Sequence, residues 1–436
     1  MPVASRPPRA LIIGGSLGGL FAANLLHRRG WDVQVFEQAG TALAGRGAGI
    51  ITHPDLFAAL ARIGILIDSS FGVDIAGRIA FDRSGAAVGT LDIKQCLTTW
   101  ARLYALLKDA LPADRYHFDH ACTGVTQDAH TVTAGFANGA AAHGDLLIAA
   151  DGIRSAVRAQ LAPEDRPVYA GYVAWRGLVA ENELTPATHR DLFPLFGFSL
   201  APREHMLGYP VAGFTNSTRA GERCYNFVWY RPVHAVRELP QLCTDIHGRR
   251  HDMAIPPPLI RAEVLDDMRS SAQAALSPQF AEVVAKTRQP FFQAIFDLES
   301  QAMAHGRIAL LGDAAFVARP HCGMGVSKAA SDAMALADAL QAADHDPVEA
   351  LPRYSATRVR FGRAVVAHAR ELGSYLQACD GDDETSKTAC VAHHHTPHAV
   401  MRDIAVTREF CCNSLFLFIF YNNPSAQAGG RARGIT

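Results

Sequence analysis

The sequence predicts an α/β fold built from a discontinuous domain with a parallel sheet, a mixed β-sheet domain inserted into it, and C-terminal helices. Three observations lead to this prediction. A strand, a glycine-rich turn, a helix and a second strand follow one another within residues 10–37. Between residues 167 and 299 the chain is dense in aromatic residues and shows a β-like alternation. From residue 307 onward a buried strand returns and is followed by two long helices.

The first element is the run ALIIGGSLGGL at 10–20, which passes from an apolar strand into a glycine cluster and a helix. Its pattern is G-x-S-x-x-G. Gly14 allows the tight turn, Ser16 stands where the backbone approaches a pyrophosphate, and Gly19 lets the helix pack closely on the sheet. The free N–H groups at the helix N-terminus, around Leu17, are suited to bind phosphate.

The second strand, residues 32–36, ends on Glu37. A carboxylate at this point can accept hydrogen bonds from the two ribose hydroxyls of an adenosine and would repel a 2′-phosphate. The unit is therefore a Rossmann-like dinucleotide-binding unit that favours FAD or NAD over NADP. The alternative is an ordinary βαβ unit without a ligand.

Length and composition bound the remaining possibilities. With 436 residues the chain is expected to form two or three domains, and its 49% apolar and 19% charged residues indicate a globular protein with a large core. A net charge of −1 gives no support for a nucleic-acid partner or a membrane-binding surface. The nine scattered cysteines lack a C-x-x-C pair, which predicts free thiols in a reducing cytoplasm and no metal site.

The domain boundaries follow the changes in pattern. We predict a first part of the dinucleotide domain at 1–166, with strands in 76–97 contributing to the second domain. A substrate domain is predicted at 167–299, and a second part of the dinucleotide domain at 300–376, with helices over 326–343 and 354–376. The tail 377–436 has no predicted role.

The tail contains three notable stretches. Residues 380–384, DGDDE, are interpreted as a solvated linker. His393–His395 with His398 can be interpreted as metal ligands or, as we favour, as a flexible tract. The apolar stretch 415–421, LFLFIFY, is too short to cross a membrane and is expected to pack on the protein body or on a second subunit.

Two further motifs follow the first. The run DLLIAADGIRSAVR at 145–158 is a strand and turn that places Asp151 before a helix. The run GDAAFVARPHCGMG at 312–325 leaves a buried strand at Asp313 and enters a long helix. One glycine motif is a weak signal, whereas three motifs in this order are a specific one.

In this order the motifs resemble those of the single-component flavoprotein aromatic hydroxylases, the p-hydroxybenzoate hydroxylase-like group, over about residues 9–376. Within that group, longer stretches resemble the dihydroxypyridine hydroxylases; these are IIGGSLGGL at 12–20, TTWARLYALL at 98–107, YAGYVAWRG at 169–177 and the 312–325 run. The chain departs from the broad group at Trp100, where an arginine is usual, and at Phe316, where a histidine is usual.

The resemblance implies a FAD-binding domain of the glutathione reductase type, bound FAD, NADH or NADPH as a transient reductant, and O₂ as co-substrate. It implies that the reduced flavin forms a C4a-hydroperoxide that hydroxylates an electron-rich ring. The implied substrate is a hydroxypyridine such as 2,6-dihydroxypyridine, with a uric-acid-like N-heterocycle or a phenol as alternatives. A flavin enzyme reduced by a separate partner, or a non-catalytic flavin regulator, are the other classes considered.

The same resemblance assigns roles to residues of the later motifs. Asp313 is expected to bind the ribitol hydroxyls, and the loop with Pro320, Gly323, Met324 and Gly325 is expected to face the flavin ring. The turn at Asp151 is expected to serve flavin binding and the approach of the nicotinamide.

Arg46, in the glycine-rich loop after the second strand, is expected either to reach the pyrophosphate or to lie on the surface. Activation of the substrate needs a general base or polar relay near the flavin. His321 is the first candidate, and capping of the following helix is its alternative role. Tyr209 and His205 are further candidates, and a homodimer is expected.

Overall fold

The structure is a computed structural model and describes residues 6–43, 49–378 and 393–403. In chain order the helices α1 to α10 are Leu17–His27, Pro54–Ile63, Trp100–Asp109, Ala156–Leu161, Pro186–Leu192, Leu239–Leu242, Ala262–Ala275, Pro278–Lys286, Gly325–Ala342 and Pro347–Leu372. They are followed by a C-terminal helix, Pro397–Asp403.

The strands are short in the first part of the chain and longer in the middle. In chain order, β1 to β10 are Arg9–Ile13, Asp32–Phe36, Gly49–Ile51, Val73–Ile75, Gly77–Phe81, Ala87–Leu91, Gln95–Thr99, Tyr116–His117, Cys122–Gln127 and Val132–Phe136. β11 to β20 are Ala141–Gly144, Leu146–Ala149, Val168–Ala180, Leu195–Ser199, His205–Val211, Cys224–Pro232, Phe291–Glu299, Ala304–His305, Ile308–Leu310 and Phe316–Val317.

A six-stranded sheet forms the centre of the dinucleotide-binding region, with strand order β18-β19-β12-β1-β2-β8. All its pairs are parallel except β18 with β19, and Ile12 of β1 lies between Val35 and Ile148. The central strands are apolar in consecutive positions because both faces of a parallel sheet are covered. Helices α1 and α9 lie against each other on this sheet. The carboxyl ends of β1, β2 and β19 therefore meet at one edge.

An eight-stranded sheet has the order β20-β17-β13-β16-β15-β14-β5-β6 and is antiparallel except where β14 pairs with β5. Successive side chains of its central strands point to opposite faces of the sheet, and both faces are apolar. On β16, Tyr225, Phe227 and Trp229 pack with α7 and α8, whereas Val228 and Tyr230 belong to a separate cluster on the opposite face. We call that opposite face the inner face, because it meets the loop before α9.

Two small antiparallel sheets complete the described chain, β11-β10-β9 and β3-β7-β4. The predicted α/β class, with a mixed β-sheet region inserted between two parts of a Rossmann-like region, is confirmed. The second long helix starts at Pro347 rather than at residue 354. Asp346 caps it by accepting from the Val348 N–H at 2.9 Å, and a proline in the first turn needs no N–H partner.

The C-terminal helix packs against β5, β6 and β14, with Val400 and Met401 in the apolar cluster of the inner face. Arg78 of β5 is 1% exposed and donates to the Met401 carbonyl, which fixes this helix over the sheet. His395 contacts the Glu204 carbonyl at 2.8 Å. Within the described residues no group of three His, Cys, Asp or Glu side chains is arranged to hold a metal ion. The interpreted segments 380–384 and 415–421 lie outside the described residues.

Each helix in the described part of the chain is too short or too polar to span a bilayer.

Candidate functional site

The glycine turn after β1 is closed by contacts that exclude a side chain. Gly14 has φ +101°, and a Cβ there would lie 2.4 Å from the Ala150 carbonyl oxygen. A Cβ on Gly19 would lie 1.9 Å from the Gly14 carbonyl oxygen, so α1 reaches the turn only because residue 19 has no side chain. Ser16 precedes α1 but makes no side-chain capping bond, which leaves the N–H groups from Leu17 onward to a ligand.

Glu37 is hydrogen-bonded to the backbone of this turn. Its Oε2 accepts from the Gly15 N–H and its Oε1 from the Ala39 N–H, both at 2.9 Å. The carboxylate is 5% exposed, and each oxygen keeps a lone pair for a further donor. Tyr116 donates to the Gly15 carbonyl from the other side at 2.9 Å. The acid is thus held rigidly where two ribose hydroxyls would be recognised.

The Gly-Asp motif continues from β19 into a 3₁₀ turn, Gly312–Ala314. Gly312 has φ +64°, and its N–H donates to the buried Asp332 at 3.2 Å. The Asp313 side chain is reached by solvent although protein atoms crowd it, as on the floor of a cleft. Burial raises the pKa of Asp313, the charge of Lys328 opposes this, and the charge of Asp332 adds to it.

Asp332 on α9 is the centre of a buried ion network beneath this turn. Its Oδ1 accepts from Arg358 Nε at 2.7 Å, and its Oδ2 lies 3.5 Å from Lys328 Nζ. All three side chains are at most 9% exposed. The network joins α9, α10 and the Gly-Asp turn, so the position of Asp313 depends on it.

The loop before α9 contains the predicted flavin-facing residues. Pro320–Cys322 form a 3₁₀ turn, Gly323 has φ +65°, and the helix begins at Gly325 without a side-chain cap from Met324. A Cβ on Gly325 would meet nothing within 4 Å, which leaves open space above the backbone at this point. The N–H groups of the first turn of α9 are therefore also available to a ligand.

The first and third motifs converge. A Cβ on Gly18 of α1 would lie 3.2 Å from Leu311, and a Cβ on Gly312 would lie 3.3 Å from Ala329 of α9. The two uncapped helix N-termini thus lie at the same edge of the six-stranded sheet. FAD fits this arrangement, because Glu37 suits its adenosine, α1 suits its pyrophosphate, and Asp313 with the start of α9 suits its ribitol and flavin ring.

The second motif also contacts this region. Asp151 caps α4 by accepting from the Ala156 N–H at 2.9 Å, while its Oδ1 is buried and has no partner among the described residues. Burial raises the pKa of Asp151. Arg158 donates to the Ile153, Asp165 and Ala314 carbonyls and so ties the Asp-Gly turn to the Gly-Asp turn. The predicted cofactor residue Arg46 lies outside the described residues.

The structure brings His321 and His205 together on the inner face. His321 Nε2 lies 2.7 Å from the Tyr172 hydroxyl, and its ring centroid lies 4.6 Å from that of Tyr230 and 6.2 Å from that of His205. His205 contacts the Tyr375 hydroxyl through Nδ1 at 2.9 Å. His321 therefore lies in a network of rings and hydroxyls at the junction of the loop before α9 and the eight-stranded sheet.

The third candidate, Tyr209, is on the same face two strands away from Tyr172. Its ring fills the space above Gly49, where a Cβ would lie 2.4 Å from the ring. Burial raises the pKa of Tyr209, and the charge of Arg176 opposes this. Its hydroxyl is therefore protonated at neutral pH and is available as a hydrogen-bond donor.

Both imidazoles are neutral at physiological pH. Burial lowers the pKa of His321 to about 3, with a further contribution from the charge of Arg319. Burial also lowers the pKa of His205 well below its ordinary value. His321 Nδ1 and His205 Nε2 are buried without a partner among the described residues. These two nitrogens are weakly basic, so they serve better as members of a polar relay than as strong bases.

Sequence reasoning missed four polar residues near this face. His53 contacts the Gly323 carbonyl through Nε2 at 3.1 Å, and Asn226 Oδ1 accepts from the Gly49 N–H at 3.0 Å. Arg78 and Arg176 project from β5 and β13. Asn226 and Arg176 interrupt apolar strands, which is the signal that the sequence offered. No local pattern marked His53, since its partner is 270 residues away.

His53 makes the fold acid-sensitive. Burial lowers its pKa to about 4, the Gly323 carbonyl opposes this, and the charge of Arg78 lowers it further. Between pH 6.5 and 4 the unfolded chain binds a proton here and the folded chain does not, so acidification over this window is expected to cost about 3 kcal/mol. When the pH falls from 6.5 to 4, the urea unfolding midpoint of His53→Asn should therefore decrease less than that of the natural protein.

The matched control is His130→Gln, which changes an exposed histidine and should leave the pH profile of the natural protein unchanged. Identical pH profiles for His53→Asn and the natural protein would contradict the expectation.

A site of this construction is typical of the flavin-binding oxidoreductases. The chain matches the FAD binding domain family over residues 9–207 and 261–369 and therefore belongs to that family. Residues 169–297 match a related family described as FAD binding domain-like.

Named relatives agree with this assignment. The chain is 31% identical over 369 residues to 2,6-dihydroxypyridine 3-monooxygenase of Paenarthrobacter nicotinovorans, covering 85% of this chain and 91% of the relative. The solved 2,6-dihydroxypyridine-3-hydroxylase from Arthrobacter nicotinovorans is 30% identical, with a TM-score of 0.80 over 87% of this chain and 95% of its own.

A third similar structure is HpxO of Klebsiella pneumoniae complexed with FAD and uric acid. It is 25% identical, with a TM-score of 0.71 over 93% of this chain and 95% of its own. The predicted resemblance to the flavoprotein aromatic hydroxylases is confirmed, as is the expectation of a FAD-binding protein.

Proposed function

We propose that this protein is a FAD-dependent monooxygenase that uses NADH or NADPH and O₂ to hydroxylate an electron-rich heteroaromatic ring. The substrate we favour is a hydroxypyridine such as 2,6-dihydroxypyridine. The observation that carries the proposal is the junction of the loop before α9 with the inner face, where His321 contacts Tyr172 and Tyr230. Bound FAD would accept electrons from the nicotinamide and activate O₂ for transfer to the ring.

The chain's own residues would bind the two ends of the cofactor. Glu37 would hold the adenosine ribose, the turn at Gly14, Ser16, Leu17 and Gly19 the pyrophosphate, and Asp313 the ribitol. The loop with Pro320, Gly323, Met324 and Gly325 would lie along the flavin ring. His53 would set this loop by donating to the Gly323 carbonyl.

The inner face would orient the substrate and exclude water from the reacting atoms. Tyr230, Phe196 and Tyr209 supply flat apolar surfaces of buried rings, which suit a planar substrate. His321, Tyr209 and His205 are proposed as the polar relay that holds or moves the substrate proton. Because both imidazoles are neutral, the relay would act by hydrogen bonding at His321 Nδ1 and His205 Nε2.

The reductant would approach beside the Asp-Gly turn. A cavity of about 360 Å³ opens there, and its lining includes Arg154, Arg158 and Arg166 together with the acid Asp165. Arg154 and Arg166 are exposed, so their charges are available for the phosphates of a nicotinamide dinucleotide. Asp151 Oδ1, buried and without a partner among the described residues, lies on the same turn.

We also propose where the protein acts and how it assembles. All five cysteines in the described part of the chain are free thiols, which supports a reducing cytoplasm as the site of action. We further propose a homodimer, which sedimentation equilibrium of the FAD-loaded protein would test.

The purified protein is expected to be yellow and to consume NADH or NADPH when the right ring is added. The test mixes FAD-loaded protein with either nicotinamide in a stopped-flow instrument, without a ring and with 2,6-dihydroxypyridine, uric acid or a simple phenol. We expect flavin reduction to be faster with 2,6-dihydroxypyridine than without a ring. After reaction with ¹⁸O₂, mass spectrometry should find one ¹⁸O atom in the product.

Each other outcome has a defined meaning. Turnover of uric acid instead would favour the oxo-purine alternative, which the uric-acid complex of HpxO supports. No oxidation of either nicotinamide with any ring would contradict the monooxygenase proposal and favour a flavin protein reduced by a separate partner.

A further inference from the structure

Arg176 projects from the inner face between two tyrosines. On β13, Ala174 lies opposite Tyr230 of β16 and Arg176 lies opposite Val228. Tyr209 of β15 lies opposite Asn226. Directly opposed residues share a face, and side chains two positions apart point the same way. Arg176, Tyr230 and Tyr209 therefore share the inner face.

The guanidinium of Arg176 forms no ion pair with an acid in the described part of the chain. No carboxylate of the described residues lies within ion-pair distance of it, and its polar contact is Nη1 donating to the exposed Gln293 amide oxygen at 2.8 Å. Its Nε is buried and has no partner among the described residues. The side chain is only half-buried, so the group is both charged and accessible. A partly desolvated cation of this kind is stabilised when an anion binds to it.

The groups around Arg176 do not neutralise it. The titratable side chains that share the inner face with it include Tyr172, Tyr209, Tyr230 and His205, and His321 contacts this face from the loop before α9. The phenols are protonated and the imidazoles neutral at physiological pH, because burial shifts the pKa of each in that direction. The charge of Arg176 is felt at the Tyr209 and Tyr230 hydroxyls, where it opposes the effect of burial on the pKa.

We propose that Arg176 binds the anionic oxygen of the substrate ring, so that the enzyme selects the ionised form of a hydroxy-heteroaromatic substrate. This inference rests on the proposed function. The ring O–H or lactam N–H would release its proton to solvent, and the resulting oxido group would face the guanidinium N–H groups, with Tyr209 and Tyr230 as further donors.

Binding of the anion makes a strong base in the protein unnecessary. Loss of the ring proton raises the electron density of the ring, which is the form that an electrophilic oxygen attacks. The neutral imidazoles of His321 and His205 can then act as the proposed polar relay, which hydrogen-bonds the ring and passes its proton toward solvent, without either of them acting as a strong base. Arg176 is in this way a substrate-binding residue that determines which ring, and which protonation state, is accepted.

The test is a binding titration with FAD-loaded protein, followed by the change in flavin absorption. Dissociation constants for 2,6-dihydroxypyridine, or for uric acid if that ring is turned over, are measured from pH 5 to 9, with 2,6-dimethoxypyridine as a ring that cannot ionise. For the natural protein we expect affinity to follow the ionised fraction of the ligand. Arg176→Met should weaken anion binding at least 30-fold and leave binding of the dimethoxy ring within twofold.

Three variants keep the test decisive. Arg176→Lys retains the charge and should recover binding to within tenfold, whereas Arg176→Gln should behave as Arg176→Met does. Arg190→Met removes an arginine that is 73% exposed in the same domain and should change nothing. The ratio of flavin to protein absorbance shows whether each variant is folded around its FAD.

The inference is overturned if Arg176→Met and Arg176→Gln bind the anion as tightly as the natural protein, or if they lose the charged and the dimethoxy ring equally. Failure of the proposed function is a separate result, since it would show as no turnover of any ring by the natural protein.

Discussion

Gly19→Ala is expected to abolish tight FAD binding. The new Cβ would lie 1.9 Å from the Gly14 carbonyl oxygen. The backbone sets the positions of both atoms, so a change of rotamer cannot relieve the clash. Either α1 shifts away from the sheet or the turn opens, and each change displaces the N–H groups proposed to bind the pyrophosphate. Crowding of this kind typically costs about 1–3 kcal/mol in stability. We expect at least a 100-fold weaker affinity, measured by FAD fluorescence during titration of the apoprotein.

Gly135→Ala is the matched control for this substitution. A Cβ there would meet its nearest atoms at 3.6 Å and 3.9 Å, which is ordinary van der Waals contact, and the residue lies in β10, outside the six-stranded sheet. FAD affinity should remain that of the natural protein. A yellow Gly19→Ala protein with unchanged affinity would show that the close approach of α1 is not needed for binding.

Asp332→Asn is expected to destabilise the folded protein strongly. The amide would keep one hydrogen bond from Arg358 but would remove the carboxylate charge with which the buried cations Arg358 and Lys328 pair. Its N–H₂ group would also face the Gly312 N–H, which now donates to Asp332. Breaking a buried ion pair in this way costs about 3–5 kcal/mol. The free energy of unfolding in urea, and FAD content, are the measurements.

Asp338→Asn gives the comparison on the same helix. Asp338 is 50% exposed and pairs with Arg29 and Arg62 at the surface, so its loss should cost about 1 kcal/mol or less. Equal destabilisation by the two substitutions would contradict the argument, because it would mean that burial of the Asp332 network contributes nothing. Loss of FAD from Asp332→Asn alone would further link the network to the position of the Gly-Asp turn.

The sequence by itself determined the parts of this protein that depend on local spacing. These parts are the turn that needs Gly14 and Gly19, the strand that ends on Glu37 and the buried strand that ends before Asp313. Each depends on residues close together in the sequence, so its chemistry can be derived from a short stretch. Because these motifs follow one another in a particular order, they also predicted the discontinuous fold and the family.

Only the tertiary structure decided which polar side chains meet. His321 contacts Tyr172 across 149 positions, and His53 contacts Gly323 across 270. The sequence of each strand shows that Arg176 and Asn226 lie among apolar residues. The order of the strands in the sheet, which the sequence does not show, decides which tyrosines and which loop these side chains face. Burial, which fixes the protonation states of His321 and His205, arises from packing of distant elements and is absent from any local stretch of sequence.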